Sequence, residues 1–265
     1  MPPHSTPCAV VTGAASGIGR AIATAFAARG VNLLLADIDR AALDDTVRQL
    51  AEIAPEVHVT PVVADLCRPD QVAALASRAF EEFGRVDWLV NCAGILLSGR
   101  SWELDEKQWT RLMDVNLWSV VRAARAFVPR MLQQGHGHIV NIASLAGMLP
   151  APWLAPYTVS KHGLVAYSET LQQEFQALSL PLHVSVVLPG PVDTGICRNI
   201  ETHGGDAAVD GTNTYLRGMI ADGMAPDELA RIVLAGVDQK QFWIFPHADM
   251  LKAALRQRHD MLQGA

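Results

Sequence analysis

Long apolar runs, paired cysteines and clusters of basic side chains are all missing from this sequence. No apolar run approaches the roughly 18 residues of a membrane-spanning helix, and Met1–Pro7 lacks the basic and apolar regions of a signal peptide. Cys8, Cys67, Cys92 and Cys197 form no C-x-x-C pair, which favours reduced thiols over disulfides. These absences predict a cytoplasmic protein that does not insert into a membrane.

The charge balance and the histidines argue against two further kinds of partner. A net charge of −6 and a pI near 5.8, without a dense Lys/Arg patch, argue against binding nucleic acid or an anionic membrane. His136 and His138 alternate around Gly137, but no Cys or acidic cluster accompanies them. A turn entering a strand explains them better than a metal site. We therefore expect a small-molecule partner and no metal.

Short apolar runs alternate with helix-period stretches along the whole chain. The runs predicted as strands are Cys8–Val11, Asn32–Asp37, Val57–Ala64, Val86–Val90, His138–Ile142, His183–Leu188 and Phe242–Phe245. The stretches predicted as helices are Arg20–Ala28, Arg40–Ile53, Pro69–Phe83, Asp105–Leu132, Leu154–Leu178 and Pro226–Val237. This alternation predicts a single α/β domain over residues 1–265, a Rossmann-type doubly wound parallel sheet of about seven strands with helices on both faces.

One segment interrupts the alternation. Between Asp193 and Met224 the sequence shows little periodicity, and it is punctuated by Gly204, Gly205, Gly211, Gly218 and Gly223. A long irregular segment inside a compact domain is usually either disordered or an active-site lid. This one leaves the C-terminal end of a predicted strand, at the edge where ligands bind in open α/β sheets. We therefore predict a substrate lid at 193–224.

A glycine-rich loop joins the first predicted strand to the first predicted helix. Residues Thr12–Gly19 read T-G-A-A-S-G-I-G. Glycines permit a tight turn and close approach of a pyrophosphate, and the helix N-terminus supplies N–H groups and the positive dipole end. The G-x-x-x-G-x-G spacing differs from both G-x-G-x-x-G and the triphosphatase loop. The strand–turn–helix context favours phosphate binding over a turn without a ligand.

Tyr157 and Lys161 are four residues apart, a spacing that places them on one helix face about 5–6 Å apart. A phenol with a pKa of about 10 is a poor acid or base at neutral pH, but an ammonium within about 4–6 Å lowers such a pKa by roughly 1–3 units. Alone, such a pair is ordinarily a packed tyrosine beside a solvated lysine. A phosphate-binding loop in the same chain favours a tyrosine that transfers protons.

With these motifs the sequence, from Cys8 to about Phe245, resembles the short-chain dehydrogenase/reductase family. The markers that carry the resemblance, in chain order, are Thr12–Gly19, Asp65-Leu66, Asn91-Cys92-Ala93-Gly94, Asn116, Ser144, Tyr157 with Lys161, and Pro189-Gly190-Pro191-Val192-Asp193-Thr194. Their order is far more specific than any single motif.

The resemblance implies NAD as cofactor and assigns its contacts. The pyrophosphate would meet Gly13, Ser16, Gly17, Ile18 and Gly19; the adenosine ribose, Asp37, Asn91, Ala93 and Gly94; the adenine, Asp65 and Leu66; and the nicotinamide half, Tyr157, Lys161, Pro189, Gly190, Val192 and Thr194. Pro189 and Gly190 would form the floor under the nicotinamide. Asp37 and Asp65 have an alternative explanation as turn-forming residues at strand ends.

The resemblance also implies the catalytic residues Asn116, Ser144, Tyr157 and Lys161. Tyr157 would exchange the hydroxyl proton, and Lys161 would lower its pKa and hold the nicotinamide ribose. Ser144 would orient the substrate oxygen, and Asn116 would hold a water of a proton relay. Asn116 as a helix kink and Ser144 as an ordinary strand-end serine remain alternatives.

The implied activity is an NAD-dependent dehydrogenase acting on a secondary alcohol or its ketone. The side chains expected to face the pocket, which indicate a mostly apolar substrate, are Leu96, Leu97, Met148, Trp153, Leu154 and Ile196. An acyl-carrier-protein ketoreductase and a non-catalytic NAD-binding regulatory protein are the alternatives. The second has no need of Ser144 or Tyr157.

Two features depart from the family pattern. Cys92 stands where the family usually has Asn, and an amphipathic stretch, Met250–Arg256, replaces the Gly-Gly tail of many members. The apolar helices predicted at 105–132 and 154–178 resemble the family's interface helices and predict a homodimer or homotetramer. The unusual C-terminus weakens the case for tetramer geometry.

Overall fold

The computed structural model describes residues 6–197, 200–202 and 207–264, and in these ranges a seven-stranded parallel sheet forms the centre of the fold. Its strands are β1 (Cys8–Thr12), β2 (Asn32–Asp37), β3 (Val59–Val63), β4 (Trp88–Asn91), β6 (Gly137–Ile142), β7 (Leu182–Val187) and β9 (Trp243–Ile244), in the order β3-β2-β1-β4-β6-β7-β9. Short strands β5 (Leu97–Ser98) and β8 (Glu201–Thr202) pair separately.

Helices cover both faces of this sheet. They are α1 (Gly17–Ala27), α2 (Arg40–Ile53), α3 (Pro69–Phe83), α4 (Glu106–Met113), α5 (Ser119–Gln134), α6 (Ala155–Ala177), α7 (Ala207–Ala221), α8 (Pro226–Asp238) and α9 (Ala248–Gln263). Ala9 and Val11 of β1 pack with α1, α2 and α8, whereas Cys8 and Val10 pack with α3, α5 and α6. Because strand residues alternate between faces, one buried strand supports two cores. The predicted fold class is confirmed.

The structure corrects the predicted helix at 105–132. Asp105 caps α4 reciprocally with Gln108, and α4 then runs into a π-helical turn, Asp114–Trp118, before α5 begins. A π turn inserts one residue into the helical repeat, which rotates the following helix and frequently marks functional sites. Periodicity alone could not show it, because the apolar positions continue on both sides of the turn.

The expectation that 193–224 lacks regular structure is wrong for its second half. α7 presents Val209, Asn213 and Leu216 on one buried face, a helical spacing. Gly211 and Gly218 have open space where a Cβ would lie, so these two glycines lie outside packed contacts and do not end the helix. Gly204 and Gly205 lie outside the described residues.

The described residues contain neither a membrane-spanning helix nor a metal-binding cluster. Within 6–197, 200–202 and 207–264, no helix is both long and apolar enough to cross a bilayer. The same residues contain no group of three or more His, Cys, Asp or Glu side chains arranged to hold a metal ion. His138 instead meets the Ser185 hydroxyl at 2.8 Å, and burial lowers its pKa to about 3. It is therefore a buried neutral histidine.

Candidate active site

The candidate site lies at the carboxyl edge of the sheet, where the winding direction reverses. The chain moves from β1 outward to β2 and β3, then continues from β4 in the opposite direction. This reversal opens a crevice between β1 and β4, the usual ligand position in doubly wound sheets. The predicted site residues gather there because they follow the C-terminal ends of parallel strands or lie on α6 and the π turn.

The loop after β1 requires glycine at two positions. A Cβ on Gly13, whose φ is +66°, would lie 2.8 Å from the Ala93 main chain, and one on Gly19 would lie 2.1 Å from the Gly13 carbonyl oxygen. Ser16 is the N-cap of α1 but makes no side-chain capping bond, and the first turn holds no acidic residue. Gly17, Ile18 and Gly19 thus begin a helix whose positive end suits a pyrophosphate.

Thr12 joins this loop to the neighbouring one, a role that motif reading missed. Its hydroxyl donates to the Val90 carbonyl at 3.3 Å and accepts from the N–H groups of Cys92 at 3.1 Å and Ala93 at 3.4 Å. The only signal in the sequence was a hydroxyl residue directly before the first glycine. Thr12 sets the separation between the two loops at the crevice.

Asp37 ends β2 and its carboxylate lies against the glycine loop. One oxygen accepts from Ala15 N–H at 2.9 Å, and the other accepts from Asp39 N–H at 3.1 Å. Each carboxylate oxygen has a second lone pair, so these bonds leave acceptor capacity for a ligand hydroxyl. Asp65 bonds similarly to Cys67 N–H at 2.9 Å, while the Leu66 carbonyl lies 3.5 Å from Arg122. Both carboxylates therefore form strand-end turns, as the alternative explanation held.

The structure corrects the role assigned to the Asn91 side chain. Its amide donates to Asn141 at 2.8 Å, and the Asn141 amide donates to Ser168 at 2.9 Å, all three being buried. The side-chain nitrogen is therefore held in a polar chain within the sheet, and the Asn91 main chain lies at the crevice with Ala93 and Gly94. The adjoining Cys92 packs against the core, and burial raises its thiol pKa to about 12.

Tyr157 and Lys161 share a buried face of α6, with only 8% and 4% of their surfaces exposed. Lys161 Nζ lies 5.7 Å from the Tyr157 ring centroid and donates to the Ile142 carbonyl at 2.9 Å. Ser144 follows β6, hydrogen-bonds with Tyr157 and accepts from Ala146 N–H at 3.1 Å. Three of the four predicted catalytic side chains are therefore gathered at the end of β6.

Burial sets the proton affinities of this group. It raises the pKa of Tyr157, an effect that the Ser144 hydrogen bond only partly offsets. It lowers the pKa of Lys161 to about 8, with the Cys92 thiol acting in the opposite direction. The expected lowering of the tyrosine pKa by Lys161 is therefore not what this structure gives. Desolvation disfavours the charged form of both groups and is the largest influence on each pKa.

Asn116 has different partners from those predicted. Its side chain accepts from Ile95 N–H at 2.9 Å, donates to the Ile95 carbonyl at 2.9 Å and lies 3.2 Å from the Ser160 hydroxyl. The amide thus holds the segment after β4 beside α6, and its position in the π turn matches the kink alternative. Gly94 lies between the Asn116 amide and Lys161.

The loop after β7 makes four contacts with other parts of the fold. Leu145 N–H donates to the Pro189 carbonyl at 2.9 Å, and Gly190 N–H donates to His247 Nδ1 at 3.0 Å. Val192 and Met224 form an isolated parallel β-bridge. The Thr194 methyl group lies so close to Gly17 that a Cβ there would be 3.1 Å away. Sequence reasoning did not anticipate His247, which lies just before the amphipathic stretch Met250–Arg256 that departs from the family pattern.

An apolar cluster covers Tyr157. Its buried members are Leu96, Leu97, Leu104, Leu112, Leu154, Tyr157, Cys197, Ile200 and Leu216, with Ile196 and Met219 among the side chains packed against it. Leu96, Leu97, Leu154 and Ile196, four of the six side chains expected to face the pocket, belong to this cluster. Met148 is a correction, because it packs with Val120, Leu164 and neighbours in another cluster. Both the first and the second half of the segment 193–224 contribute side chains to this cover.

The comparisons with known proteins agree with this architecture. The model of the short chain dehydrogenase family matches residues 7–204. A CLA biosynthesis dehydrogenase/reductase of Lactiplantibacillus plantarum is 34% identical over 252 residues, covering 90% of this chain and 87% of the relative. A 1-deoxy-11-beta-hydroxypentalenate dehydrogenase of Streptomyces exfoliatus is 34% identical over 262 residues, covering 96% and 88%.

Solved structures show the same similarity. A short-chain dehydrogenase/reductase from Burkholderia phymatum in complex with NAD superposes with a TM-score of 0.91 at 33% identity, covering 99% of this chain and 96% of that one. A short-chain dehydrogenase from Sphingobium yanoikuyae in complex with NADPH has a TM-score of 0.78 at 30% identity, covering 98% and 96%. The chain belongs to the short-chain dehydrogenase/reductase family, whose members are oxidoreductases that use a nicotinamide cofactor. The predicted resemblance is confirmed.

Proposed function

We propose that this protein transfers a hydride between NAD(H) and a secondary alcohol or its ketone, with Asn116, Ser144, Tyr157 and Lys161 as its catalytic group. The observation that carries the proposal is the buried Tyr157 under an apolar cover. It is hydrogen-bonded with Ser144, and its ring centroid lies 5.7 Å from Lys161 Nζ. A non-catalytic NAD-binding protein would gain nothing from such a group, since its burial costs stability.

Tyr157, Ser144 and Lys161 have separate roles in the proposed proton transfer. In oxidation, the alcohol gives its hydroxyl proton to Tyr157 and its carbon gives up a hydride, leaving a ketone; reduction reverses both transfers. When bound, the nicotinamide cofactor accepts or supplies that hydride. Ser144 orients the substrate oxygen toward the Tyr157 hydroxyl. Because burial raises the tyrosine pKa, the phenolate needs the positive charge of a protonated Lys161 nearby.

The crevice fits such a cofactor, because no Cβ could occupy the close approaches at Gly13 and Gly19. The residues that would hold it are Gly13, Ser16, Gly17, Ile18 and Gly19 at the pyrophosphate, Asp65 and Leu66 at the adenine, Asp37 and the main chain of Asn91, Ala93 and Gly94 at the adenosine ribose, Tyr157 and Lys161 at the other ribose, and Pro189, Gly190, Val192 and Thr194 at the nicotinamide. All of them border one edge of the sheet.

Asp37 supports NAD over NADP as the cofactor. A 2′-phosphate would bring negative charge to the Asp37 carboxylate, which already lies against the glycine loop. The following residue, Ile38, is exposed and apolar and offers no compensating charge. Arg40, exposed at the start of α2, is the nearby cation that would favour a phosphate. The Burkholderia relative was solved with NAD and the Sphingobium relative with NADPH.

The apolar cover supports a mostly apolar substrate beneath a movable lid at 193–224, within one domain spanning 1–265. The two ends of that segment meet, since Asp193 N–H donates to the Met224 carbonyl and Met224 N–H to the Pro191 carbonyl, both at 3.0 Å. Ile196, Leu216 and Met219 between these ends pack in the cluster that holds Tyr157. Because its two ends meet and its β8 pairs with β5, the remainder of the segment, which includes α7, is suited to open and close as a flap.

A cytoplasmic homodimer is the proposed form of the enzyme. Trp118, beside α5, and Val159, on α6, are 50% and 47% exposed, although large apolar side chains are usually covered. Both belong to the helices predicted as the interface. The four cysteines are free, which suits a reducing compartment. An acyl-carrier-protein ketoreductase remains the alternative within the family.

The proposal is tested by a broad panel of secondary alcohols and ketones, offered with NAD or NADH and followed by NADH absorbance. We expect turnover of apolar members of the panel and none without cofactor. Binding of NADH with no turnover of any member would favour the non-catalytic alternative.

A further inference from the structure

We propose that His247 is a positioning residue that holds the Gly190–Pro191 loop in the shape needed under the nicotinamide, so that the C-terminal helix α9 takes part in cofactor binding. The inference rests on the proposed function, because it assumes that Pro189 and Gly190 form the nicotinamide floor. It gives a task to the C-terminal segment that departs from the family pattern.

The His247 ring lies directly against the loop. Nδ1 accepts from Gly190 N–H at 3.0 Å, and a Cβ on Gly190 would lie 3.0 Å from His247 Cγ. The ring also hydrogen-bonds the Pro191 backbone. The His247 ring therefore contacts two consecutive residues of the loop, the N–H group of Gly190 and the backbone of Pro191. Burial lowers the pKa of His247, which keeps the ring neutral and Nδ1 free to accept.

Helix capping does not explain this side chain. His247 occupies the N-cap position of α9, where a side chain ordinarily accepts from the first turn of its own helix. It makes no such capping bond. Its ring is directed across the fold to the loop after β7 instead, which is the observation that separates positioning from local helix stabilisation.

The contacts of the loop continue to the catalytic group. The Pro189 carbonyl accepts from Leu145 N–H at 2.9 Å, and Leu145 follows Ser144 directly. Farther along α9, Arg258 donates to the Met148 carbonyl, on the same segment after β6. The helix thus contacts both the proposed nicotinamide floor and the segment that carries Ser144, and the half-buried His247 makes the first of these contacts.

Three variants and two ligands test the inference by calorimetry. ADP-ribose contains everything in NADH except the nicotinamide, so the ratio of its Kd to that of NADH isolates the nicotinamide contribution. His247→Leu leaves Gly190 N–H without its acceptor, and we expect NADH affinity to fall about five- to fifty-fold. Affinity for ADP-ribose should change less than about two-fold. His247→Asn carries an acceptor at the Nδ1 position and should restore NADH binding to within about three-fold of wild type.

His259→Leu makes the same change at an exposed position of α9 and serves as the matched control. If His247→Leu does not fold, His247→Gln replaces it, because its longer amide moves the acceptor away from the Nδ1 position. If His247→Leu, or the His247→Gln that replaces it, leaves the ratio of the two affinities unchanged, whether neither ligand or both are weakened, the inference is overturned. A wild-type protein that binds NADH no more tightly than ADP-ribose would instead refute the proposed nicotinamide floor.

Discussion

Asp37 combines two tasks in a single carboxylate. Its hydrogen bond to Ala15 N–H stabilises the glycine loop, and its charge lies where the adenosine ribose is proposed to bind. The isosteric Asp37→Asn change separates the two, because the amide keeps an oxygen for Ala15 N–H while the charge and the exposed bond from Asp39 N–H are lost. A cofactor preference that depends on charge should therefore change without loss of the loop.

We predict that wild-type protein prefers NADH over NADPH by roughly ten- to a thousand-fold, since like charges about 4 Å apart repel by about 1–4 kcal/mol. Asp37→Asn should lose most of this preference in calorimetric titrations. Asp39→Asn, two residues away on the exposed cap of α2, is the control and should behave as wild type. Equal wild-type affinities for the two cofactors would contradict the role of Asp37.

Lys161 makes cofactor binding depend on pH. Its pKa is lowered to about 8 in the free protein, and contact with an anionic cofactor favours the ammonium and raises that pKa. Binding near pH 8 should therefore take up a proton, and NADH affinity should fall as pH rises through the free-state pKa, by at most about ten-fold per unit. Titrations in buffers of different ionisation enthalpy measure this uptake. Lys161→Met should abolish it, and a pH-independent wild-type affinity would disprove the assignment.

Residue assignments could be read from sequence wherever a motif fixes position relative to a strand end. Tyr157, Lys161 and Ser144 meet because helical spacing and parallel strand ends bring them together. The Asn91 side chain could not be assigned in this way, because its partner Asn141 is a neighbour only through the pairing of β4 with β6. Pairing between distant segments is invisible to local spacing.

The secondary-structure elements likewise divide into those that local sequence patterns predict and those that they do not. The seven strands of the parallel sheet follow directly from apolar patterning, since such a sheet buries continuous apolar runs, and so do α1, α2, α3, α6 and α8. The π turn at Asp114–Trp118 and helix α7 do not. In α7 only Val209, Asn213 and Leu216 form the buried face, so its apolar signal is weak and its glycines obscured it.

The proposed lid is an element whose motion can be measured. α7 is attached to the site mainly through apolar side chains such as Leu216, while the segment's ends are joined at Val192 and Met224. We predict that amide hydrogen exchange in 207–221 slows when a substrate analogue is added to the NADH complex, because a filled pocket holds the lid closed. Exchange in β6 serves as the internal reference. Identical protection of α7 with and without the analogue would argue against gating.

At the scale of the whole molecule, the exposed apolar side chains Trp118 and Val159 support the proposed homodimer. Trp118 and Val159 lie on elements beside the catalytic group, so their cover would also rigidify α6. Sedimentation at micromolar concentration should show a homodimer, and Val159→Asp should shift it toward monomer by placing a charge in the interface. Val63→Asp, at another exposed apolar position on the edge strand β3, is the control. A wild-type monomer would refute the proposed dimer.

The central claim is that this chain is a catalytic oxidoreductase whose proton passes through Tyr157, and it is tested most directly by Tyr157→Phe. The variant removes one hydroxyl and keeps the ring that packs in the apolar cluster. On a substrate identified with wild-type protein, we predict a loss of turnover of about 10²–10⁴-fold, while calorimetry shows NADH binding within a few-fold of wild type. Turnover within a few-fold of wild type would contradict the account.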